Sequence, residues 1–173
     1  MLGFWFSLTP EQHFARSDEL DSEIRVRFGA LRDLVLGSGA DGWRNDPETL
    51  LAAIILLDQF SRNLHRDSAE AYAADPLALT LALEAIERGW EVAMTADERQ
   101  FLYLPLEHAE DPAMQKLSVE KFGTLGDAHV LDFAVKHAEV ISRFGRFPSR
   151  NAVLGRRSTP EEMEFLSAEG AGW

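Results

Sequence analysis

The sequence contains no cysteine among its 173 residues. This absence excludes disulfide bonds and thiolate-ligated metal sites, and it agrees with a reducing compartment. Apolar runs are also short: the longest, residues 50–57, falls well below the roughly 20 residues that a membrane-spanning helix needs. The first residues show neither the basic region nor the cleavage site of a signal peptide. We therefore expect a cytoplasmic protein with no membrane partner.

Basic residues are scarce, because 17 Lys and Arg against 29 Asp and Glu give a formal net charge of −12. Nucleic-acid-binding proteins present a basic surface, so this balance argues against a nucleic-acid partner. The arginines are nevertheless concentrated in a stretch that has no acidic residue from 140 to 160. This stretch is interpreted either as a solvated basic loop or as an anion site, since arginine binds carboxylates and phosphates through paired hydrogen bonds. Its arginines are Arg143, Arg146, Arg150, Arg156 and Arg157.

The alternating apolar and polar residues that are typical of β-strands are missing as well. Helix-start signals are frequent instead, because five of the seven prolines follow a threonine or an aspartate. Capping boxes begin at Thr9, Thr95 and Thr159. The sequence therefore predicts an all-α fold of about seven helices, packed antiparallel because their connections are short, in a single domain over residues 1–173.

The spacing of apolar residues predicts where these helices lie. The first is predicted to be one long amphipathic helix with Phe14 among its inward residues. The second is apolar nearly all round and is therefore predicted to be central. The predicted ranges are 10–36, 47–63, 76–88, 96–110, 112–122, 127–144 and 160–168.

Two histidines share a face with apolar residues and are predicted to point inward. His137 follows Ala134 and precedes Ile141 at helical spacing, and His108 lies on the face of Phe101. Pro105 removes a backbone amide beside His108, which should kink that helix and free a carbonyl group. Each histidine could be a buried structural residue, or it could belong to a ligand pocket.

Asp58 lies on the apolar face of the central helix. A buried carboxylate is costly unless it is paired, and Arg62 is the nearest partner, four residues on. A local Asp58–Arg62 pair is therefore favoured over direct catalysis by Asp58. Three separate helices thus direct an ionisable group toward an apolar face, which suggests a shared polar pocket beside the arginine-rich stretch.

The favoured hypothesis is a small-molecule pocket for an anionic ligand, a carboxylate or a phosphate. His108 and His137 are the candidates for catalytic proton transfer, because histidine titrates near neutral pH. Phe144 and Phe147 would anchor the loop while its arginines hold the anion. The candidate binding residues are Asp58, Arg62, Tyr103, Glu110, Arg143, Arg146, Arg150 and Asn151, among which Tyr103 and Asn151 would orient the substrate.

Motifs of other chemistries are absent from the sequence. There is no G-x-S-x-G, no Walker or Rossmann glycine pattern, and no HExxH or paired Glu-x-x-His. His108, Glu110, His137 and Asp58 are residue types that can ligate metals, but neighbouring arginines would repel a cation. We therefore predict neither a metal nor a cofactor. Whether the pocket catalyses a reaction stays open at this point.

Several longer motifs make the chain similar to a known family. They are Asp58-Gln-Phe-Ser-Arg-Asn63, Arg99-Gln-Phe-Leu-Tyr-Leu-Pro105 with His108-Ala-Glu110, and Arg143-Phe-Gly-Arg-Phe-Pro148 with the stretch from Arg150 to Glu162. On these motifs the chain resembles the bacterial domain-of-unknown-function family 924 over nearly its whole length. The resemblance implies a tetratricopeptide-like right-handed α-α superhelix and no established activity. The family commonly has a histidine where Ser149 stands, which argues against a mechanism that needs an imidazole there.

Two alternatives to the pocket follow. A tetratricopeptide-like superhelix usually presents a groove to a peptide, so the chain could be a protein-binding module. The polar residues could also be a purely structural network, with arginines bonded to helix carbonyls and buried carboxylates. The aromatic residues near the two ends, Phe4, Trp5, Phe6 and Trp173, would either close the core or form the seam of a homodimer.

Overall fold

The structure is a computed structural model that describes residues 1–168, and all regular structure within this range is helical. The predicted all-α class is confirmed, whereas the tetratricopeptide-like superhelix stays a prediction. Short 3-10 turns occur at Ala69–Ala71, Trp90–Ala93 and Pro148–Arg150. The described α-helices are α1 (Leu2–Trp5), α2 (Pro10–Phe14), α3 (Asp18–Gly37), α4 (Pro47–Leu64), α5 (Asp75–Glu87), α6 (Ala96–Glu107), α7 (Pro112–Gly123), α8 (Ala128–Phe144) and α9 (Pro160–Ser167).

Side-chain caps begin most of these helices where the sequence predicts them. All three threonine capping boxes form, and Asp46 and Asp111 each accept two amides of the following first turn. Asp75 is an exception. It is the first residue of α5, the cap position is held by Ala74, and no side-chain cap bond forms there. The predicted cap at Asp75 is therefore wrong, and its carboxylate is used in tertiary contacts instead.

The single long helix predicted at 10–36 is wrong, because the chain breaks between α2 and α3. Ala15 is extended, with φ −76° and ψ 146°, and the Ser17 side chain caps α3 by accepting the amide of Leu20. The break turns Phe14 outward, so this residue is 58% exposed instead of buried. Apolar spacing continues across the break, which is why periodicity alone does not reveal it.

Helix α4 is central, as predicted. Every residue from Leu50 to Ser61 is buried, and the helix packs against α3, α5 and α6. A helix that is enclosed on all sides must be apolar nearly all round, and the few polar groups that it carries need partners. Asp58, near its carboxyl end, is one of these groups.

The aromatic residues at the amino terminus close the core. Trp5 is completely buried, and its ring lies 5.2 Å from that of Phe60 and 5.4 Å from that of Phe101. Trp173 lies outside the described residues, and the homodimer stays a prediction. None of the helices described here is both long and apolar enough to cross a membrane.

Candidate functional site

A buried carboxylate and a histidine form the centre of the candidate site. The side chain of Asp58 is 1% exposed, and its Oδ1 lies 2.8 Å from Nδ1 of His108, the residue that follows α6. Oδ2 accepts a hydrogen bond from the side-chain amide of Gln59. An ionised carboxylate can only accept hydrogen bonds, so His108 carries its proton on Nδ1, and this N–H donates a hydrogen bond to Asp58.

Arg62 joins Asp58 to a second, partly buried carboxylate, Asp75. Its Nη1 lies 3.2 Å from Asp58 Oδ1, so the pair predicted from the i, i+4 spacing is present. Its guanidinium also donates two hydrogen bonds, of 3.1 and 3.2 Å, to the two carboxylate oxygens of Asp75. The local pair is therefore part of a larger buried cluster that links α4, α5 and the end of α6.

Arg150, in the loop after α8, reaches the same cluster. Its Nη1 lies 3.4 Å from Asp75 Oδ2, and its guanidinium makes no other hydrogen bond to the residues that the structure describes. The guanidinium carbon lies 4.7 Å from the ring centre of Tyr72 and 4.5 Å from that of Phe147. These rings fix its position by cation–π contact. Most of its N–H groups have no acceptor among residues 1–168.

An open cleft of about 390 Å³ lies over the cluster. Its walls come from the turn before α5, the first turns of α5, the end of α6 and the loop after α8. His108, Asp75 and Arg150 supply polar groups, and Pro105 contributes to the apolar wall. Ligand sites are typically clefts of this size in which a few polar groups interrupt an apolar lining.

The cluster sets the charges of Asp58 and His108, which together form a dyad. Burial raises the pKa of Asp58, but Arg62 and His108 together outweigh burial and hold this pKa well below its usual range. Burial and then the charge of Arg62 lower the pKa of His108. At neutral pH the dyad therefore consists of a carboxylate and a neutral imidazole. Burial also raises the pKa of Asp75 and lowers that of Arg150.

His137, the second predicted proton-transfer residue, does not line the cleft. Its ring centre is 6.3 Å from that of His108, and its Nδ1 donates to the carbonyl of Phe133 at 2.9 Å and lies 3.4 Å from Glu107 Oε1. Burial and then His108 lower the pKa of His137 to about 3. Burial and then the charge of Asp58 raise the pKa of Glu107 to about 8. Both groups are therefore neutral at pH 7.

Two of the arginines predicted to hold an anion are engaged with α9. Arg146 makes hydrogen bonds of 2.7 and 2.8 Å to the two oxygens of Glu162, and Arg143 binds Glu161 on the exposed surface. These pairs tie the end of α8 and the loop after it to α9, and neither arginine lines the cleft. Among the predicted anion-binding arginines, Arg150 alone lines the described cleft.

Two further predicted binding residues lie away from the cleft. Asn151 is 1% exposed, and its amide donates to Ser158 and Glu162, so it holds the loop in shape. Tyr103 packs against Phe122 in the core, and burial raises its pKa to about 12. The structure brings neither side chain to the ligand-accessible surface of the cleft.

Glu110 lies at the edge of the cleft and holds the loop after α8 in position through hydrogen bonds. Its two oxygens accept hydrogen bonds of 2.6 and 2.9 Å from Arg156, and Oε1 also accepts the amide of Phe147 at 2.8 Å. Burial favours a higher pKa for Glu110, but the bonds from Arg156 and Phe147 outweigh burial and lower it. Phe147 is itself buried, 5.5 Å from the ring of His137. The loop is therefore anchored on both sides of Arg150.

Sequence reasoning missed Asp75 and Tyr72 as residues of the site, and it did not predict that Glu110 pairs with Arg156. Asp75 carries the signal of a helix cap, Tyr72 belongs to no periodic pattern, and the partner of Arg156 lies 46 residues away. None of these contacts has a local spacing that could have revealed it. In residues 1–168, no group of three or more His, Asp and Glu side chains is arranged to hold a metal ion.

Comparison with known proteins places this arrangement in a family. The family model described as "Bacterial protein of unknown function (DUF924)" matches residues 1–170. The chain belongs to this family. A solved structure of a protein of unknown function from Agrobacterium tumefaciens is 40% identical, covers 96% of this chain and 94% of its own, and superposes with a TM-score of 0.91. No curated protein matches. For this DUF924 member, function must therefore be argued from the chemistry of the cleft.

Proposed function

We propose that this DUF924 member binds a small anionic molecule, a carboxylate or a phosphate, in the cleft between α5, α6 and the loop after α8. The anionic group lies on Arg150. The observation that carries this proposal is that Arg150 lines the cleft with a single hydrogen bond of 3.4 Å to a described residue. A guanidinium offers five N–H donors, and its planar fork matches the oxygens of carboxylates and phosphates.

Asp75 does not require Arg150 as its partner. Its two oxygens already accept two shorter hydrogen bonds from Arg62, and burial raises its pKa. An incoming anion can therefore share Arg150 without leaving Asp75 unpaired. The burial that lowers the pKa of Arg150 also strengthens its attraction for an anion, because both reflect a partly desolvated cation.

The other carboxylates along the cleft restrict the ligand further. Glu110 is an ionised carboxylate paired with Arg156, whereas Asp111 caps the start of α7 through its Oδ1. These oxygens accept hydrogen bonds and repel a second anionic group. The lining therefore favours a molecule with one anionic end and with hydroxyl or amine donors elsewhere, rather than a polyanion.

The test is a thermal-shift series at constant ionic strength, with acetate, succinate, inorganic phosphate and phosphoserine as probes and sodium chloride as the reference. A probe at a hundred times its dissociation constant should stabilise the fold by roughly 2.7 kcal/mol, or about 5–10 °C in a domain near this size. Arg150→Gln should abolish this shift. Arg143→Gln, which removes an exposed arginine at the end of α8, should leave it intact.

The carboxylate and phosphate arms distinguish the two ligand chemistries. A shift that survives in Arg150→Gln would place the anion elsewhere and overturn the proposal. A flat response to every probe would do the same and would favour the structural reading of the cluster.

A further inference from the structure

We propose that the cleft is catalytic, with His108 as a general base that is oriented by Asp58 and that takes a proton from the bound molecule or from a water beside it. The binding of an anionic ligand in this cleft rests on the proposed function. The Asp58–His108 dyad is inferred from separate contacts, so the base and the anion site can be tested independently.

One edge of the His108 imidazole, the edge with Nε2, is accessible from the cleft. Nδ1 is engaged by Asp58, which does not line the cleft, whereas His108 does. The side chain of His108 is 14% exposed, and its Nε2 makes no hydrogen bond to any of residues 1–168. Since Nδ1 carries the proton, Nε2 presents a lone pair to whatever occupies the cleft.

The proton-transfer step is balanced within the site. An O–H group of the ligand or of water gives its proton to Nε2, and the bonding electron pair stays on the oxygen. The resulting imidazolium keeps its Nδ1–H on Asp58, whose ionised carboxylate stabilises the new charge without accepting the proton. His108 is thus the catalytic residue, and Asp58 is a positioning residue.

The charges around the ring keep the base in its working form. Burial and then Arg62, which contacts Asp58, lower the pKa of His108, whereas Asp58 and Asp75 act in the opposite direction and do not outweigh them. The neutral imidazole therefore predominates before the ligand arrives, and the two carboxylates support the imidazolium that forms afterwards. General-base catalysis requires a base that is unprotonated before the reaction and whose protonated form is stabilised in the same position.

The probe for this base is alkylation by bromoacetate, with neutral bromoacetamide as the matched reagent. The Nε2 lone pair forms a bond to the methylene carbon, the C–Br bond breaks, and bromide leaves. The chain has no cysteine, so the thiolate that normally consumes these reagents is absent. His129, exposed at the start of α8, is the internal reference in the same sample.

We expect bromoacetate to label Nε2 of His108 at least about tenfold faster than it labels His129, and about tenfold faster than bromoacetamide labels His108. A tenfold ratio corresponds to about 1.4 kcal/mol of preferential binding. Peptide mapping by mass spectrometry measures the rates, and NMR of the labelled protein identifies the alkylated nitrogen. Asp58→Asn should slow labelling of His108 at least about tenfold and leave His129 unchanged, because the amide no longer fixes the Nδ1–H tautomer.

A second measurement on the unaltered protein covers the case in which Asp58→Asn does not fold. The ¹⁵N shifts of the His108 ring should report a proton on Nδ1 and none on Nε2 at neutral pH. A proton on Nε2, or labelling of His108 no faster than that of His129 with either reagent, would overturn the general base. Fast labelling that is equal for both reagents and unaffected by Arg150→Gln would keep the base and overturn the anion site.

Discussion

Replacing Arg62 with methionine should lower the free energy of unfolding by about 3–5 kcal/mol, the usual cost of removing one partner from a buried ion pair. Arg62 bonds to both Asp58 and Asp75, and the side chains of these residues are 1% and 18% exposed. Without the guanidinium, the two carboxylates face each other in a poorly solvated cluster. Urea denaturation at pH 7, followed by circular dichroism, measures the loss.

The chain offers a matched control at the same helical spacing. Lys136 pairs with Asp132 at i, i+4, as Arg62 pairs with Asp58, but the side chains are 49% and 55% exposed. Lys136→Met should therefore cost less than about 1 kcal/mol. The double variant Arg62→Met, Asp75→Asn should recover part of the loss, because it removes one of the two stranded charges. If Arg62→Met were no more costly than Lys136→Met, the cluster would not depend on ion pairing.

Local patterns account for what the sequence could predict. The Asp58–Arg62 pair is visible because both residues lie on one helix at a fixed spacing, and α4 is visible because its apolar residues run all round. The inward directions of His108 and His137 follow from the same periodicity. Each of these inferences needs only one helix.

Contacts between distant segments account for the features that the sequence could not predict. Arg146 lies in a stretch without acids, yet it is neutralised by Glu162, sixteen residues on in α9. Arg150, in the same stretch, faces the cleft and a carboxylate 75 residues away. The two arginines look alike in sequence, and only the path of the loop separates them. The Asp58–His108 bond, across 50 residues, is hidden for the same reason.

Competing local signals explain the errors. Asp-Pro at Asp75 is a typical helix start, but Arg62 and Arg150 offer this carboxylate charged donors, and the helix begins one residue earlier than a cap would allow. At Ser17 the local cap prevails over the apolar spacing, because its side chain accepts the amide of Leu20 and begins α3 although the apolar periodicity continues from α2. Capping chemistry and tertiary pairing compete for the same side chains.

The second large effect concerns pH, and it rests on Glu107. Its pKa in the fold is about 8, against an ordinary value of 4.5, because of burial and the charge of Asp58. Between these values the unfolded chain has lost a proton that the folded protein keeps, so stability falls as pH rises, by about 1.4 kcal/mol per unit. His137 acts in the opposite direction below its ordinary value of 6.5, because its pKa in the fold is about 3.

The contributions of Glu107 and His137 to the change of unfolding free energy with pH cancel each other from pH 4.5 to 6.5. Above pH 6.5 the contribution of Glu107 alone remains. The protein should therefore lose about 1–2 kcal/mol between pH 6.5 and 8, and Glu107→Gln should remove most of this loss. Urea unfolding at the two pH values measures it. Glu139→Gln, which changes an exposed glutamate of α8, should keep the slope of the unaltered protein. A slope that persists in Glu107→Gln would mean that Glu107 is already ionised in the fold.

The same variant tests the cancellation itself. With Glu107 replaced, only His137 changes its proton occupancy on unfolding between pH 4.5 and 6.5 within this buried pair. The free energy of unfolding of Glu107→Gln should then rise with pH in this range more steeply than that of the unaltered protein, by about 1.4 kcal/mol per unit, because the opposing slope of Glu107 is gone. A flat profile in the variant would show that His137 keeps a nearly ordinary pKa in the fold. The shape of the two curves thus separates the acid from the base of one buried pair, which a single measurement at neutral pH cannot do.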